Sequence, residues 1–216
     1  RALDARVPPT QLPEERATHL LATPDFGLRD DALEALLIAT LDEVGTYGYE
    51  GATVQRIARA SGFTKGLIFA RYASKRELFL DATDRMLLLA AQANTEFQER
   101  IAATTSVGVA DATMTRESMR PEHRPVRTVT TEQFRLSWHD EQMQTTFKNV
   151  QDHVAEQISK ESPALPVGQA RGRMFIDFAR GIGMGILADL HPGAWTLPID
   201  VVLIPLIDDR GAEAST

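Results

Sequence analysis

Apolar residues recur at three- and four-residue spacing along most of the chain, and no segment calls for a strand. Leu33, Leu36, Leu37, Thr40, Leu41 and Val44 predict a first helix from about Arg29 to Tyr47. Asp30 and Asp31 suit its positive N-terminal end, and Gly45 and Gly48 close it. Thr53 is a good N-cap for a second helix over 54–61 that buries Val54, Ile57 and Ala58. Gly62 supplies a left-handed turn residue, with Phe63 as the anchor beneath it. Thr64 then caps a third helix, about Lys65–Tyr72, with Ile68 and Tyr72 turned inward and Lys65, Leu67, Phe69 and Arg71 outward. Ser74 caps a long fourth helix reaching about Ala103, whose apolar side carries Leu78, Phe79, Ala82, Met86, Leu89, Ala90, Ala93 and Phe97.

Beyond it the pattern weakens. Residues 104–124 predict a short helix around Val109–Glu117 within a mobile loop. Two helices follow, about Val126–His139 and Glu141–Lys160, with Phe134, Leu136, Trp138, Met143, Phe147, Val150, Val154 and Ile158 as core. Pro163 and Pro166 predict a break. Val167 to Leu190 is strongly helical, and a last helix runs from about Pro198 to Asp209, where Pro205 predicts a kink or an early end. At the other terminus, Pro8, Pro9, Pro13 and Pro24 predict an extended or partly helical arm over residues 1–27. The start at Arg1 implies a trimmed chain or part of a longer one. The fold class is all-α.

Composition narrows the function. The hydrophobic share of 43% and charged share of 25% are ordinary for a soluble globular protein. No run of about 18 apolar residues is present, so no membrane partner is expected. The absence of cysteine excludes disulfides and thiolate chemistry and fits a cytoplasmic location. Charge placement says more than the total of −7. Residues 54–76 carry six basic side chains (Arg56, Arg59, Lys65, Arg71, Lys75, Arg76) and no acidic one. A positive block on a helix–turn–helix pattern, in an otherwise acidic chain, is suited to a phosphate backbone. Lys75 and Arg76 also oppose the dipole of the helix they start, which hints at a phosphate partner there.

Enzyme chemistry finds little footing. The histidines are scattered without metal-ligand spacing, and the charged run His139–Asp140–Glu141 reads as a solvated helix junction. Gly181–Ile182–Gly183 lacks the strand and lysine of a phosphate loop. No catalysis, cofactor or metal is expected.

The stretch from Leu33 to Phe79, including GYEGATVQRIARASGFTKGLIFARYASKRELF, resembles the N-terminal DNA-binding domain of the tetracycline-repressor (TetR) family. Gly48, Thr53, Ile57, Ala58, Gly62, Gly66, Tyr72, Lys75 and Leu78 stand in the matching slots. The resemblance implies an all-α homodimer: an arm (1–27), a three-helix helix-turn-helix domain (28–74), and a helical bundle (75–216) for ligand binding and dimerisation. It implies a regulator of double-stranded operator DNA, most simply a repressor released when a small hydrophobic molecule shifts the fourth helix. By position, Thr53, Gln55, Thr64, Lys65, Gly66, Leu67, Phe69, Arg71 and Lys75 would meet DNA. Thr53 and Lys75 match phosphate contacts, and Leu67 suits a thymine methyl. Phe69 departs from the family pattern, since its ring donates no hydrogen bond to phosphate.

In the bundle, the large adaptable side chains Phe97, Met119, Phe134, Trp138, Met143, Met174 and Phe178 are the candidate ligand pocket. The small-residue spacing Gly181-xxx-Gly185, with Phe178, Ile182, Ile186, Val201 and Val202, is the candidate dimer interface, against the alternative of a crossing within one chain. A second function remains open on sequence: an interaction and dimerisation module that keeps the fold with weak or no DNA reading of its own, as part of a longer chain.

Overall fold

The computed structural model of the protein describes residues 30–161, 166–191 and 193–213. Among them are nine α-helices and no strand. The expected arm over 1–27 and the break over 162–165 lie outside the described residues, as does the side chain of Ile158.

The first four helices follow their local instructions. α1 (Asp31–Gly51) opens with the Leu33 N–H donating to the Asp30 carboxylate at 3.0 Å. Gly48, at φ 70°, breaks its regular geometry where the end was expected, and one further turn follows the kink. α2 (Val54–Ser61), α3 (Lys65–Arg71) and α4 (Lys75–Ala102) begin at Thr53, Thr64 and Ser74. Each of those hydroxyls accepts from the backbone N–H three residues on, at 3.3, 3.2 and 3.1 Å. Gly62, at φ 75°, makes the turn between α2 and α3. Leu36, Leu37 and Val44 of α1 pack with Ile57, Ile68, Leu78 and Phe79, all fully buried. Each such side chain contributes roughly 1.5–3 kcal/mol, enough to hold a seven-residue helix that would not persist alone.

The body contains α5 (Val107–Ser118), α6 (Arg124–Ser137), α7 (Glu141–Glu161), α8 (Val167–Leu190) and α9 (Asp200–Glu213). Two expectations change here. The short helix expected around Val109–Glu117 is α5, and in place of the expected loop after it stand a 3-10 turn and the start of α6. α5 is weakly patterned because it is covered on several sides, Asp111, Thr113, Thr115 and Glu117 included. Its threonine hydroxyls donate to the carbonyls of Val109 and Asp111, and Asp208 of α9 receives Ser106 Oγ at 2.6 Å and the Gly108 N–H at 2.8 Å. Pro121 and Pro125 start a 3-10 turn and α6, where a missing N–H costs nothing. Pro205 sits inside α9, yet the helix runs on to Glu213, held along α5.

Head and body are not joined by α4 alone. α1 packs along α6 more extensively than any other two helices pack. Gly45 lies so close to α6 that an added Cβ would stand 2.9 Å from that of Pro125. Val129 of α6 and Met143 of α7 complete the hydrophobic cluster of the head. Among the described residues, no helix is long and apolar enough to cross a membrane.

Candidate functional site

The cap residues that start α2 and α3 also determine what faces outward. Thr53, Gln55, Thr64, Lys65, Gly66, Leu67, Phe69 and Arg71 are all exposed, while Ile68 anchors α3 from within. Leu67 is 58% exposed and Phe69 51%. The basic residues divide by commitment. Arg56 donates to Glu43 at 2.6 Å, with its guanidinium 3.6 Å from the Tyr47 ring centre, and so fastens α2 to α1. Arg71 pairs with Asp30 at 3.3 Å, an exposed contact of little strength that a phosphate can replace. Lys75 donates to the Tyr49 carbonyl at 2.7 Å and sits over the Tyr49 ring. It therefore closes the end of α1 while standing at the head.

Arg76 departs from expectation. Its guanidinium forms a two-pronged contact with Asp140 and reaches Gln142 Oε1 at 3.0 Å. It faces the body, not a phosphate. Asp140 in turn accepts from the Met143 N–H at 3.0 Å, so the pair ties the first turn of α4 to the start of α7. The Arg76 hydrogen bonds, with the Met143 N–H, hold the Asp140 carboxyl down at about 2. The run His139–Asp140–Glu141 thus contains one structural anchor.

Within the body, residues of α4 to α8 surround a cavity of about 480 Å³, within the range of small-molecule sites. Met86, Leu87 and Ala90 of α4 and Phe147, Val150 and Val154 of α7 give it an apolar side. A polar side runs along α5 and α8, where buried Asp111 meets Arg173 at 3.0 Å and Arg180 at 3.3 Å. His123 also lines the cavity, its buried Nε2 lacking a hydrogen-bond partner. Arg127 lines it too, but is held by Asp189 and by the carbonyls of Ser118 and Arg120.

Of the expected pocket residues, Met174 and Phe178 line this cavity. Phe134 stands behind them, its ring 5.2 Å from that of Phe178 and 4.9 Å from that of Phe147. Phe97 is buried with Ile101, Val109 and Ala110, Met143 belongs to the core shared with the head, and Met119 is buried away from the lining. Trp138, the residue that ends α6, is 74% exposed. Large side chains alone do not distinguish wall from core. The signal that was missed is charge: Asp111, Arg173 and Arg180 each interrupt an otherwise helical apolar run.

The glycine spacing also reads differently. A Cβ on Gly185 would collide with the Arg127 side chain and lie 3.0 Å from the Ser118 carbonyl. One on Gly181 would meet Ser118 at 3.9 Å. These two glycines serve a crossing within the chain, and Phe178 and Ile182 face the cavity. Ile186, Val201 and Val202 remain exposed, beside Ile176, Leu187 and Leu190.

Two short capped helices around a left-handed glycine, carried by a positively charged segment, form a helix-turn-helix motif suited to DNA. Residues 36–82 match the family model of bacterial regulatory proteins, tetR family. Over those residues the head is similar to the DNA-binding domain of that family, which supports a DNA-binding transcriptional regulator. A solved structure, the fatty acid degradation regulator FadR from Bacillus halodurans, aligns with a TM-score of 0.47 and 15% identity, covering 80% of this chain and 94% of that one. No curated protein matches the chain.

Proposed function

We propose that this regulator is a cytoplasmic repressor that binds operator DNA as a homodimer and is released when a small hydrophobic molecule fills the cavity. One observation carries the reading: the cavity wall and the core of the head share residues. Met86 and Leu87 of α4 line the cavity and belong to the head cluster, and Val126 of α6 does both as well. An occupant that presses on them acts directly on the packing that orients α1 to α3. Lys65 and Arg71 on α3, Arg59 on α2 and the Thr53 cap are assigned to phosphate. Lys75 adds charge while bracing α1. Leu67 and Phe69, with Gly66 between the shoulders of α3, are assigned to the groove, and Gln55 and Thr64 to its edge. The dimer is assigned to the exposed strip on α8 and α9 that includes Ile186, Leu187, Leu190, Val201 and Val202.

The test is a gel shift with the DNA upstream of its own coding sequence at two salt concentrations. The expected result is a sequence-specific shift that weakens steeply with salt and a footprint with two-fold symmetry. Failure to shift that DNA specifically at low salt would favour the interaction-module reading instead.

A further inference from the structure

We propose that the base-reading surface of α3 is apolar, and that the operator half-site is recognised chiefly through thymine methyl groups by Leu67 and Phe69. This rests on the proposed function, since it concerns how the same head reads DNA.

The geometry follows from one buried residue. Ile68 is fully buried and defines the inward direction of α3. At about 100° per residue, Gly66 and Ala70 fall within about 20° of the opposite, outermost direction. Leu67 and Phe69 lie about 100° to either side of Ile68, and both are more than half exposed. Lys65 and Arg71 fall nearer the inward direction, on the shoulders of the helix, where they suit the groove walls and their phosphates. The four positions furthest from the direction of Ile68, 66, 67, 69 and 70, are therefore apolar, while the exposed Lys65 and Arg71 flank them.

That composition decides what can be read. Guanine is recognised by Arg or Lys, adenine by Asn or Gln, and cytosine by an acidic side chain. None of these stands at the four positions. Thymine presents a methyl group in the major groove, which an apolar side chain can cover. Gly66 and Ala70 put little bulk between the backbone of α3 and the base edges, so Leu67 and Phe69 reach methyls on either side of the helix. An exposed Leu–Phe pair also suits a protein partner. The charge beside it argues for DNA: Lys65 and Arg71 flank the pair on α3 and Arg59 stands exposed on α2, within a segment, 54–76, that holds no acidic residue. Phe69, which cannot hold phosphate, gains a role on this account.

The experiment uses the full chain and two steps. Binding sites are first selected from random-sequence duplex DNA. Each thymine of the best half-site is then replaced by deoxyuridine, which removes the methyl and leaves the base-pairing edge intact. The expected result is thymine at two or more half-site positions, with deoxyuridine weakening binding about fourfold at each, as for one buried methyl group. Leu67→Ala should remove the sensitivity at one position and Phe69→Ala at another, with the salt dependence unchanged. Both side chains are exposed, so neither variant disturbs the core. Specific binding that is indifferent to every deoxyuridine overturns the inference and leaves the regulator reading standing. Sensitivity that persists in both alanine variants also overturns it. Enrichment of no site at all removes both readings.

Discussion

At the residue scale, ionisable side chains take roles that their type alone does not specify. Arg76 and Lys75 are adjacent cations in the first turn of α4, yet Arg76 belongs to Asp140 and Lys75 to the Tyr49 carbonyl. A long side chain goes where a compensating partner lies, and that partner is 64 residues away for Arg76. Asp84 shows the opposite case. Burial pushes its carboxyl up to about 6, the Asp81 carboxylate adds to this, and Arg85 opposes it. Arg85 is itself hydrogen-bonded to Asp81 at 2.8 Å, and Asp84 Oδ1 is buried without a hydrogen-bond partner. The folded-state value exceeds the unfolded one, so the native state holds the proton more tightly. Stability should therefore fall as pH rises from about 4 through 6. Asp84→Asn removes the charge and is expected to stabilise the protein at pH 8 by about 1–2 kcal/mol, with little change below pH 4. Urea unfolding at the two pH values measures this. Equal effects at both would mean that the carboxyl is not held at a raised value.

At the element scale, α4 and α6 each have one side on the cavity and another on the head. Ala90 of α4 faces the cavity from a helix that begins in the reading domain. Ala90→Phe should act as a built-in occupant, since overpacking strains the surroundings by about 1–3 kcal/mol. If part of that strain reaches the head, DNA affinity should fall about tenfold, a cost of about 1.4 kcal/mol. Fluorescence anisotropy on the DNA that the unmodified chain binds would show it. Unchanged affinity in a variant of unchanged helicity would disconnect the cavity from the head. α2 to α4 were legible almost to the residue, because Thr53, Gly62, Thr64 and Ser74 act within three residues of themselves, whereas α1 runs a turn past its expected end. The extent of α5 was legible to within two residues, but its burial was not, because a helix covered on several sides has no polar face to mark its inward side.

At the scale of the molecule, the charge is oriented. The basic segment 54–76, set in an otherwise acidic chain, favours approach of that segment to a polyanion, an effect that salt reduces. Ile176, Leu187 and Leu190 of α8 are exposed among the described residues, the last by 69%. Their spacing puts them on one side of α8, and an exposed apolar face of this kind suits an association surface. The double change Leu187→Asp with Leu190→Asp should give a monomer by sedimentation, and should weaken operator binding by at least tenfold. Two half-sites are held cooperatively only when two heads are linked. A double variant that remained dimeric would move the interface elsewhere.

The reading head was specified by local chemistry: hydroxyl caps, one left-handed glycine, and an apolar period on each short helix. The same local rules gave the extent of α8 and α7 to within a residue. Tertiary packing settled what involves residues distant in the chain. It turned Arg76 toward Asp140 and brought Gly185 against Arg127 instead of a second subunit. It gathered the cavity from five helices, sending Met174 and Phe178 to its wall and leaving Trp138 in solvent. A large apolar side chain has the same helical signature in a core, on a pocket wall or at an interface. Only the neighbouring helix distinguishes the three.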